Sequence, residues 1–310
     1  MKTIFEFKTL TEFTDYFKDE ATCLAHFTES RFRDGEYCPH CHHDKIYQCA
    51  NGKRYHCAKC KQDFTIRTGT VFGESKLPLR KWYMALYLLS TTSKGISSVQ
   101  LAKHLGVTQK TAWFMAHRIR ASAGQGKGRL FGKVEADETF IGGLSKNMHK
   151  AKRQAAIKGT GGMGKTPIFG MRSRGGELRA KVVPSVRLSD LHRELKSNVA
   201  PGATLYTDNW VGYRGLKAYF NHSAVDHMAK EYVNGDCHTN SIESFWALFK
   251  RGYQGVYHWM SRKHMQRYVD EFAFRFNRRA IEMQGVFTNV VNNVVQTPHL
   301  GYKQLIQKPA

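Results

Sequence analysis

The stretch VEADETFIGG, residues 134–143, decides how the second half of the chain is interpreted. Its first residues complete an apolar run, Leu130–Ala136, which predicts a β-strand that ends at two acidic residues, Asp137 and Glu138. A second run, Thr204–Thr207, predicts another strand, and this one ends at Asp208. Because neighbouring side chains of a strand point to opposite faces, Asp137 and Glu138 are expected to lie on different sides of the sheet. If one of them binds metal ions, the other is not expected to bind the same ions.

A third acidic residue, Glu243, lies in a stretch that has helical periodicity, His238–Lys250. Carboxylates on separate elements can meet in the fold although they are far apart along the chain. Mg²⁺ takes oxygen ligands, and two such ions about 3.5–4 Å apart stabilise the attacking and the leaving oxygen in phosphodiester chemistry. Three converging acids therefore predict a site of this type.

Each of these acids also has a purely structural interpretation. Asp137 or Glu138 can be solvated at a strand end, and Asp208 can cap a helix that begins near Trp210. Glu243 can close a capping box, since Asn240 stands three residues before it. Taken singly, the acids do not distinguish these interpretations, whereas their joint pattern favours the metal site.

Two CxxC pairs occur in the first quarter of the chain and are separated by 15 residues; they consist of Cys38, Cys41, Cys57 and Cys60. Four thiolates at this spacing predict a tetrahedral Zn²⁺ site, and four protein ligands leave no open position, which makes the zinc structural. Redox-active or simply buried cysteines are the alternative. The other three cysteines, Cys23, Cys49 and Cys237, are interpreted as core or surface residues.

Residues 99–113, VQLAKHLGVTQKTAW, predict a helix-turn-helix. Gly106 supplies the turn and Thr108 can cap the second helix. That helix would present polar residues to DNA. Gln109, Lys110 and Thr111 lie near its start, from which base edges are contacted, and Arg118 lies further along. An ordinary helical hairpin shares most of this pattern.

The charge of the chain points to a polyanionic partner. Lys and Arg number 48 against 25 Asp and Glu, a net charge of +23 in 310 residues. Nucleic acid is favoured over a membrane, because no run approaches the ~18 apolar residues of a spanning helix. With no signal-peptide core at the N-terminus and an odd number of cysteines, seven, the chain is expected to be cytoplasmic and nucleoid-associated when bound to DNA.

A basic segment connects the first acidic strand to the next. Between Thr139 and Lys181 there are ten Lys or Arg and one acid, Glu177, which favours contact with DNA phosphates. Residues 159–166, GTGGMGKT, match the P-loop pattern, but a polar stretch precedes them and a strand-like stretch follows, so ATP is not an expected ligand. The candidate phosphate contacts in this segment are Lys152, Arg153 and Lys165.

These motifs together resemble a known family. Asp208 and Glu243 have 34 residues between them, close to the D-x35-E spacing of retroviral integrases and DDE transposases, and Lys250 follows seven residues later. With the four-cysteine ribbon, the chain resembles bacterial insertion-sequence transposases of the ISXO-type group. The stretches that carry the resemblance are residues 134–143, 238–250, 255–261 and 268–279.

The resemblance implies an RNase H-like fold for the second half and a two-metal site for Mg²⁺ or Mn²⁺. Its ligands would be Asp137, Asp208 and Glu243. Lys250 and its neighbour Arg251 would contact DNA phosphate, and three further residues would lie near the site, namely Glu138, His238 and Asn240. Water would first cleave the transposon end to free a 3′-hydroxyl, which would then attack target DNA without a covalent protein intermediate. Joining two ends implies at least a dimer.

The sequence predicts a multi-domain α+β protein with five segments. They are an N-terminal helical segment (1–35), a zinc ribbon (36–72), a helix-turn-helix region (73–123), an α/β RNase H-like catalytic domain (129–285) and a C-terminal tail (286–310). Two other functions stay open at this point. One is a non-catalytic zinc-ribbon DNA-binding protein derived from a transposase, and the other is an RNase H-like nuclease that does not transfer strands.

Overall fold

The computed structural model describes residues 7–50, 52–126, 128–143, 147–156, 162, 164–226 and 233–307, without the side chains of residues 152, 155 and 156. The chain divides into two compact units, one formed by Met1–Gly124 with Arg278–Ala310 and the other by Gln125–Asn277. Within the described residues, no helix has both the length and the apolar character that a membrane span requires. The predicted multi-domain α+β class is confirmed.

The first unit begins with two short helices and a small antiparallel sheet. Thr9 and Glu12 form a capping box at α1 (Leu10–Tyr16), and Asp19 caps α2 (Glu20–Arg31). The sheet has the order β1-β2-β3, and its strands are Ile46–Gln48, Tyr55–Cys57 and Asp63–Phe64.

Three helices follow in the same unit: α3 (Leu79–Thr91), α4 (Ser98–Leu105) and α5 (Gln109–Ala121). Gly106 ends α4 in the left-handed region with φ of +58°, a conformation that glycine adopts without a steric cost. The hydroxyl of Thr108 then accepts a hydrogen bond from Thr111 N at the start of α5. The two helices and their glycine turn therefore have the local form that the sequence predicts.

The residues predicted as a C-terminal tail pack into the core of the first unit. They contain most of α10 (Met283–Gln296), together with α11 (Tyr302–Ile306). Phe287 is fully buried, and its ring centroid lies 5.1 Å from that of Phe13 and 5.6 Å from that of Tyr83. The reason is an apolar face at helical spacing, made by Val286, Phe287, Val290, Val291, Val294 and Val295.

A five-stranded mixed sheet forms the centre of the second unit. Its strands are β4 (Lys133–Ile141), β5 (Thr166–Ser173), β6 (Leu178–Val182), β7 (Thr204–Asp208) and β8 (Asn221–Val225). The order is β6-β5-β4-β7-β8: the first three strands are antiparallel neighbours, and β7 and β8 run parallel to β4. This 3-2-1-4-5 order agrees with the RNase H-like fold that the resemblance implies.

Helices cover both faces of this sheet. On one face, α7 (Leu188–Asn198) packs Leu191 and Leu195 against apolar side chains of β4 and β5. On the other face lie α8 (Asn240–Gly252), which continues into a π-helical turn (Tyr253–Tyr257), and α9 (Met265–Asn277). A further helix, α6 (Lys150–Ala156), lies between β4 and β5 along the chain.

Gly170 of β5 allows α8 to approach the sheet closely. A Cβ atom built at Gly170 would lie 2.6 Å from Trp246 Cζ2 and 2.7 Å from Ile242 Cδ1. Carbon atoms in contact are normally about 3.5–4.0 Å apart, so any other residue here requires movement of the Ile242 and Trp246 side chains or of the helix. The absence of a side chain at Gly170 thus leaves room for the Ile242 and Trp246 side chains of α8 against the sheet.

We expect Gly170→Ala to lower the free energy of unfolding by about 1–3 kcal/mol, because the added methyl group overpacks the contact with α8. Urea denaturation of the full chain measures this. The matched control is Gly255→Ala, since a Cβ atom at Gly255 meets nothing within 4 Å. Equal stabilities of the two variants would show that the approach of α8 is not limited by Gly170.

Candidate functional site

The pairing of β4 with β7 brings two of the predicted acids to the same level. Glu135 pairs with Tyr206 in the parallel ladder, and continuing that register by two residues sets Asp137 level with Asp208. Asp208 is the last residue of β7, as expected, whereas β4 continues to Ile141. Asp137 therefore lies within a strand and not at its end, which corrects the predicted boundary.

The pairing of β4 with β5 shows which face of the sheet Asp137 occupies. Asp137 pairs with Gly170, and paired residues of an antiparallel ladder project to the same face. That face is covered by α8, because Ile242 and Trp246 lie against Gly170. Asp137 thus shares its face with the helix that carries Glu243.

Glu138 projects to the opposite face, as the alternation of strand side chains requires. Its Oε2 accepts a 2.5 Å hydrogen bond from the hydroxyl of Tyr213. Tyr213 belongs to the apolar cluster on the α7 face. Glu138 is therefore adjacent to Asp137 along the chain but lies on the other side of the sheet.

Glu243 lies in the first turn of α8, where Thr239 is the N-cap residue. The Thr239 hydroxyl donates a 2.8 Å hydrogen bond to Glu243 Oε1. Glu243 does not form the capping box with Asn240 that its spacing allowed. The structural alternative for Asp208 is present in part, since its Oδ1 accepts a hydrogen bond from Trp210 N at 3.1 Å.

The electrostatics show that the acids are close enough to interact. Burial raises the pKa of Asp137 to about 7, and the negative charges of Glu138, Asp208 and Glu243 contribute to that rise. Burial also raises the pKa of Glu138 to about 7, and the charge of Asp208 adds to it, although the Tyr213 hydrogen bond acts against it. Carboxylates that disfavour each other's ionisation are stabilised by a cation between them.

The donor atoms of this cluster fit a divalent metal. Asp137, Asp208 and Glu243 offer only carboxylate oxygens, which are the ligands of hard cations such as Mg²⁺ and Mn²⁺. Two of them come from adjacent strands and the third from a helix that packs on the sheet at Gly170. The donor chemistry suits a divalent ion, although within the described residues only the four cysteines have all their donor atoms within 4.8 Å of one another.

Four other predicted residues of this region lie on or just before α8. Lys250, two turns after Glu243, is exposed, as are Arg251 and Asn240. His238 is half-buried, and its Nδ1 lies 3.4 Å from a carboxylate oxygen of Glu135.

Glu135 is the residue near this site that the sequence analysis missed. Its side chain is fully buried, and its Oε2 accepts hydrogen bonds from the backbone N–H groups of Ser241 at 2.9 Å and Ile242 at 3.1 Å. Its Oε1 accepts a 2.7 Å hydrogen bond from Arg174 Nε. The available signal was its position two residues before Asp137, which puts both side chains on one face of β4.

The four cysteines of the two CxxC pairs lie together in the first unit. Their Sγ atoms are all within 4.8 Å of one another, with 3.7 Å between Cys38 and Cys60 and 3.6 Å between Cys41 and Cys57. Zn–S bonds of about 2.3 Å in a tetrahedron require Sγ–Sγ separations of about 3.8 Å. The geometry therefore fits Zn²⁺. Cys23, Cys49 and Cys237 are not part of the cluster.

The structure corrects one predicted DNA contact in the helix-turn-helix. Arg118 is only 2% exposed and donates a 2.7 Å hydrogen bond to the carbonyl oxygen of Gly73. Its guanidinium lies over the rings of Trp82 and Phe114, and burial lowers its pKa to about 10. The Arg118 side chain is therefore part of the packing of the first unit, and residue spacing along the helix does not reveal such a contact.

The remaining DNA-binding candidates differ in exposure. Gln109 and Lys110 at the start of α5 are exposed, and Thr111 is half-buried. Arg153 is exposed and Lys165 is half-buried, while the side chain of Lys152 lies outside the described residues. Much of the glycine-rich run 159–166 lies outside them too, and its last residue, Thr166, begins β5.

We expect Cys57→Ser to lose zinc and to destabilise the N-terminal unit, because three thiolates cannot complete the tetrahedron. Metal analysis of the purified protein by mass spectrometry measures the zinc content. Cys49→Ser is the control, since Cys49 is outside the cluster. A Cys57→Ser protein that keeps one zinc per chain would contradict the assignment.

The charge cluster predicts a pH-dependent effect of divalent ions. Asp137 keeps its proton up to about pH 7 in the folded chain, whereas an unfolded aspartate has a pKa of about 3.9. The free energy of unfolding therefore falls as pH rises through this window. In EDTA, wild-type protein should lose more thermal stability than Asp137→Asn between pH 5 and pH 8.

At pH 8, millimolar Mg²⁺ or Mn²⁺ should raise the Tm of the wild type by about 2–4 °C, which is about 1 kcal/mol for a domain of this size. The Asp137→Asn variant should show no such rise. Equal responses of the two proteins would mean that the ion binds elsewhere.

Two regions of this chain match family models of known proteins. Residues 129–277 match the family model described as ISXO2-like transposase domain, and residues 18–63 match the transposase zinc-ribbon domain. A protein of Halobacterium salinarum, described as an uncharacterized protein in transposable element ISH50, is 29% identical over 257 residues, which cover 79% of this chain and 86% of that protein. The five-stranded sheet with its acidic cluster falls within the first match and the four-cysteine cluster within the second, so the chain is similar to ISXO2-like transposases in both of these regions.

Proposed function

We propose that this chain binds the terminal inverted repeats of an insertion sequence and catalyses strand cleavage and strand transfer with two divalent ions, Mg²⁺ or Mn²⁺. Asp137, Asp208 and Glu243 are the proposed ligands. The observation that carries the proposal is the register of β4 and β7, which sets Asp137 level with Asp208 on the face covered by α8. The match of residues 129–277 to a transposase domain supports the reaction class.

In this proposal, the bound ions would activate the attacking oxygen and stabilise the leaving oxygen. Asp137 and Asp208 offer their oxygens from adjacent strands, and Thr239 orients the carboxylate of Glu243 through its hydroxyl group. The same carboxylates serve both steps, since water and later the DNA 3′-hydroxyl occupy the attacking position in turn. No protein nucleophile takes part.

Basic residues near the acids would hold the DNA backbone in line. Lys250 and Arg251 are exposed near the C-terminal end of the helix that carries Glu243. A DNA phosphate bound there would neutralise the positive charges of these two exposed side chains. Within the basic segment, the proposed phosphate contacts are Lys152, Arg153 and Lys165.

The first unit would recognise the transposon ends. Gln109 and Lys110 are exposed at the N-terminal end of α5, the position from which a recognition helix reaches base edges. Thr111 and the zinc ribbon are proposed to assist. Because one reaction joins two transposon ends to one target, we further propose that at least two copies of the chain act together on DNA.

The test is cleavage and joining of a DNA duplex that carries the sequence flanking the gene, in the presence of Mg²⁺. We expect Asp208→Asn to lower the rate of both steps by at least about 10³-fold, or ~4 kcal/mol in activation free energy, because a neutral amide no longer supplies a charged ligand. The variant should keep DNA affinity, which a gel-shift titration measures.

Asp190→Asn is the matched control, because Asp190 lies on α7 and bonds to Ser185 and Arg193. Its activity should equal that of the wild type. If the wild type and both variants bind the terminal sequence but none of them cleaves it, the result would favour the non-catalytic regulator. Cleavage that never yields joined products would favour the nuclease.

A further inference from the structure

A buried carboxylate links the central strand to the start of the helix that carries Glu243. Glu135 has no exposed side-chain surface, and its Oε2 accepts hydrogen bonds from the N–H groups of Ser241 and Ile242. These are the second and third residues of α8, and they immediately precede Glu243. The first turn of a helix has backbone N–H groups without partners inside the helix, and an anion is stabilised there.

Two arginines from the neighbouring β-hairpin hold the same short segment by its carbonyl groups. Arg174 donates from Nε to Glu135 and from Nη2 to the carbonyl oxygen of His238, the latter at 3.0 Å. Arg172 donates to the carbonyl oxygen of Ser241, also at 3.0 Å. The guanidinium of Arg174 lies 4.5 Å from the centroid of the Tyr206 ring. The backbone groups of His238, Ser241 and Ile242 are therefore hydrogen-bonded to side chains of the sheet and its hairpin, the carbonyls by arginines and the N–H groups by Glu135.

The contacts of α8 divide into two kinds with different effects. Ile242 and Trp246 pack on Gly170 and set how far the helix stands from the sheet. Apolar contacts are not directional, so they tolerate small displacements along the helix axis. Hydrogen bonds weaken steeply with distance and angle. The bonds of Glu135 to Ser241 and Ile242 are therefore the contacts that fix the axial position of the first turn.

Glu135 and Asp137 are two residues apart on β4, so both project to the face that α8 covers. One carboxylate thus binds the backbone of the first turn of α8, while the next one on the same face belongs to the acidic cluster. We propose that Glu135 is a positioning residue that sets the distance between Asp137 and Glu243 and so determines divalent-ion affinity; the inference rests on the proposed function of these acids.

This arrangement differs from a salt bridge that only adds stability. A buried ion pair contributes little net stability compared with apolar residues of the same volume, but removing one partner leaves an uncompensated charge. A metal site, by contrast, requires its ligands within about 0.5 Å of the productive geometry. Glu135 would restrict the relative position of two ligand-bearing elements, because it connects them through a fully buried carboxylate.

The test compares Glu135→Gln with Glu194→Gln in the full-length protein. Glu194 is also buried in the second unit and is paired with Lys181 at 3.0 Å, but its bonds do not involve α8. Both variants replace a paired, buried carboxylate by its neutral isostere. Thermal denaturation gives the stability of each, and Mn²⁺ titration followed by electron paramagnetic resonance gives the affinity for the ion.

We expect Glu135→Gln to raise the Mn²⁺ concentration at half-saturation about tenfold or more, and Glu194→Gln to leave it within about twofold of the wild type. In the cleavage assay, Glu135→Gln should lower kcat about 10²-fold, the effect of a displacement of about 1 Å in an active site. Its KM for DNA should stay unchanged, because the residue is buried and contacts no nucleic acid.

Equal Mn²⁺ affinities of Glu135→Gln and Glu194→Gln would overturn the proposal and reduce Glu135 to a structural residue. If Glu135→Gln does not fold, the Mn²⁺ affinity of Glu135→Asp is compared with that of Glu194→Gln instead. Aspartate keeps the charge beside Arg174 but is one methylene too short to reach both N–H groups. A wild-type protein that binds Mn²⁺ but never cleaves DNA would refute the proposed function alone, because the Mn²⁺ titration tests Glu135 without catalysis.

Discussion

The mutual repulsion of carboxylates on one face of the sheet is the constraint on which the second unit depends. Asp137 and Asp208 lie level on adjacent parallel strands, and α8 brings Glu243 to the same face. The raised pKa of Asp137 reflects its burial first and the neighbouring negative charges second, and both make its ionised form unfavourable in the absence of a cation. The surrounding packing must therefore hold the acids together, which explains why the contacts around them are rigid: a glycine at the point of closest approach and a buried carboxylate at the first turn of the helix.

The two candidate metal sites differ in how they relate to folding. Four thiolates of the ribbon lie on short segments that are close along the chain, and a soft ligand set favours zinc in a closed tetrahedron. The carboxylates are far apart along the chain and offer only hard oxygen atoms. The ribbon sheet is only three short strands, so a bound ion would supply much of its stability. The carboxylate site is instead built on a sheet that has apolar clusters on both faces and does not require an ion to fold.

Burial separates the basic residues into two groups. Arg118 resembles a DNA contact in the sequence, but its guanidinium is bound to Gly73 and to two aromatic rings. Arg174 lies in the basic segment after β4, yet it neutralises Glu135. Lys110, Lys250 and Arg251 are exposed, although the ammonium of Lys110 also lies 5.1 Å from the centroid of the Tyr302 ring. Part of the excess positive charge is therefore structural, and only the exposed part is available to a polyanion.

The sequence alone determined the features that depend on neighbours along the chain. The CxxC spacing, the capping box at Thr9, the turn at Gly106 and the cap at Thr108 are all local, since each is made by residues within a few positions of one another. Only the tertiary structure decided the register that aligns Asp137 with Asp208, the close approach at Gly170, the role of Glu135 at α8, the burial of Arg118 and the packing of Phe287. These features join residues that are distant along the chain, and strand pairing and side-chain packing are set by the whole core rather than by any short stretch.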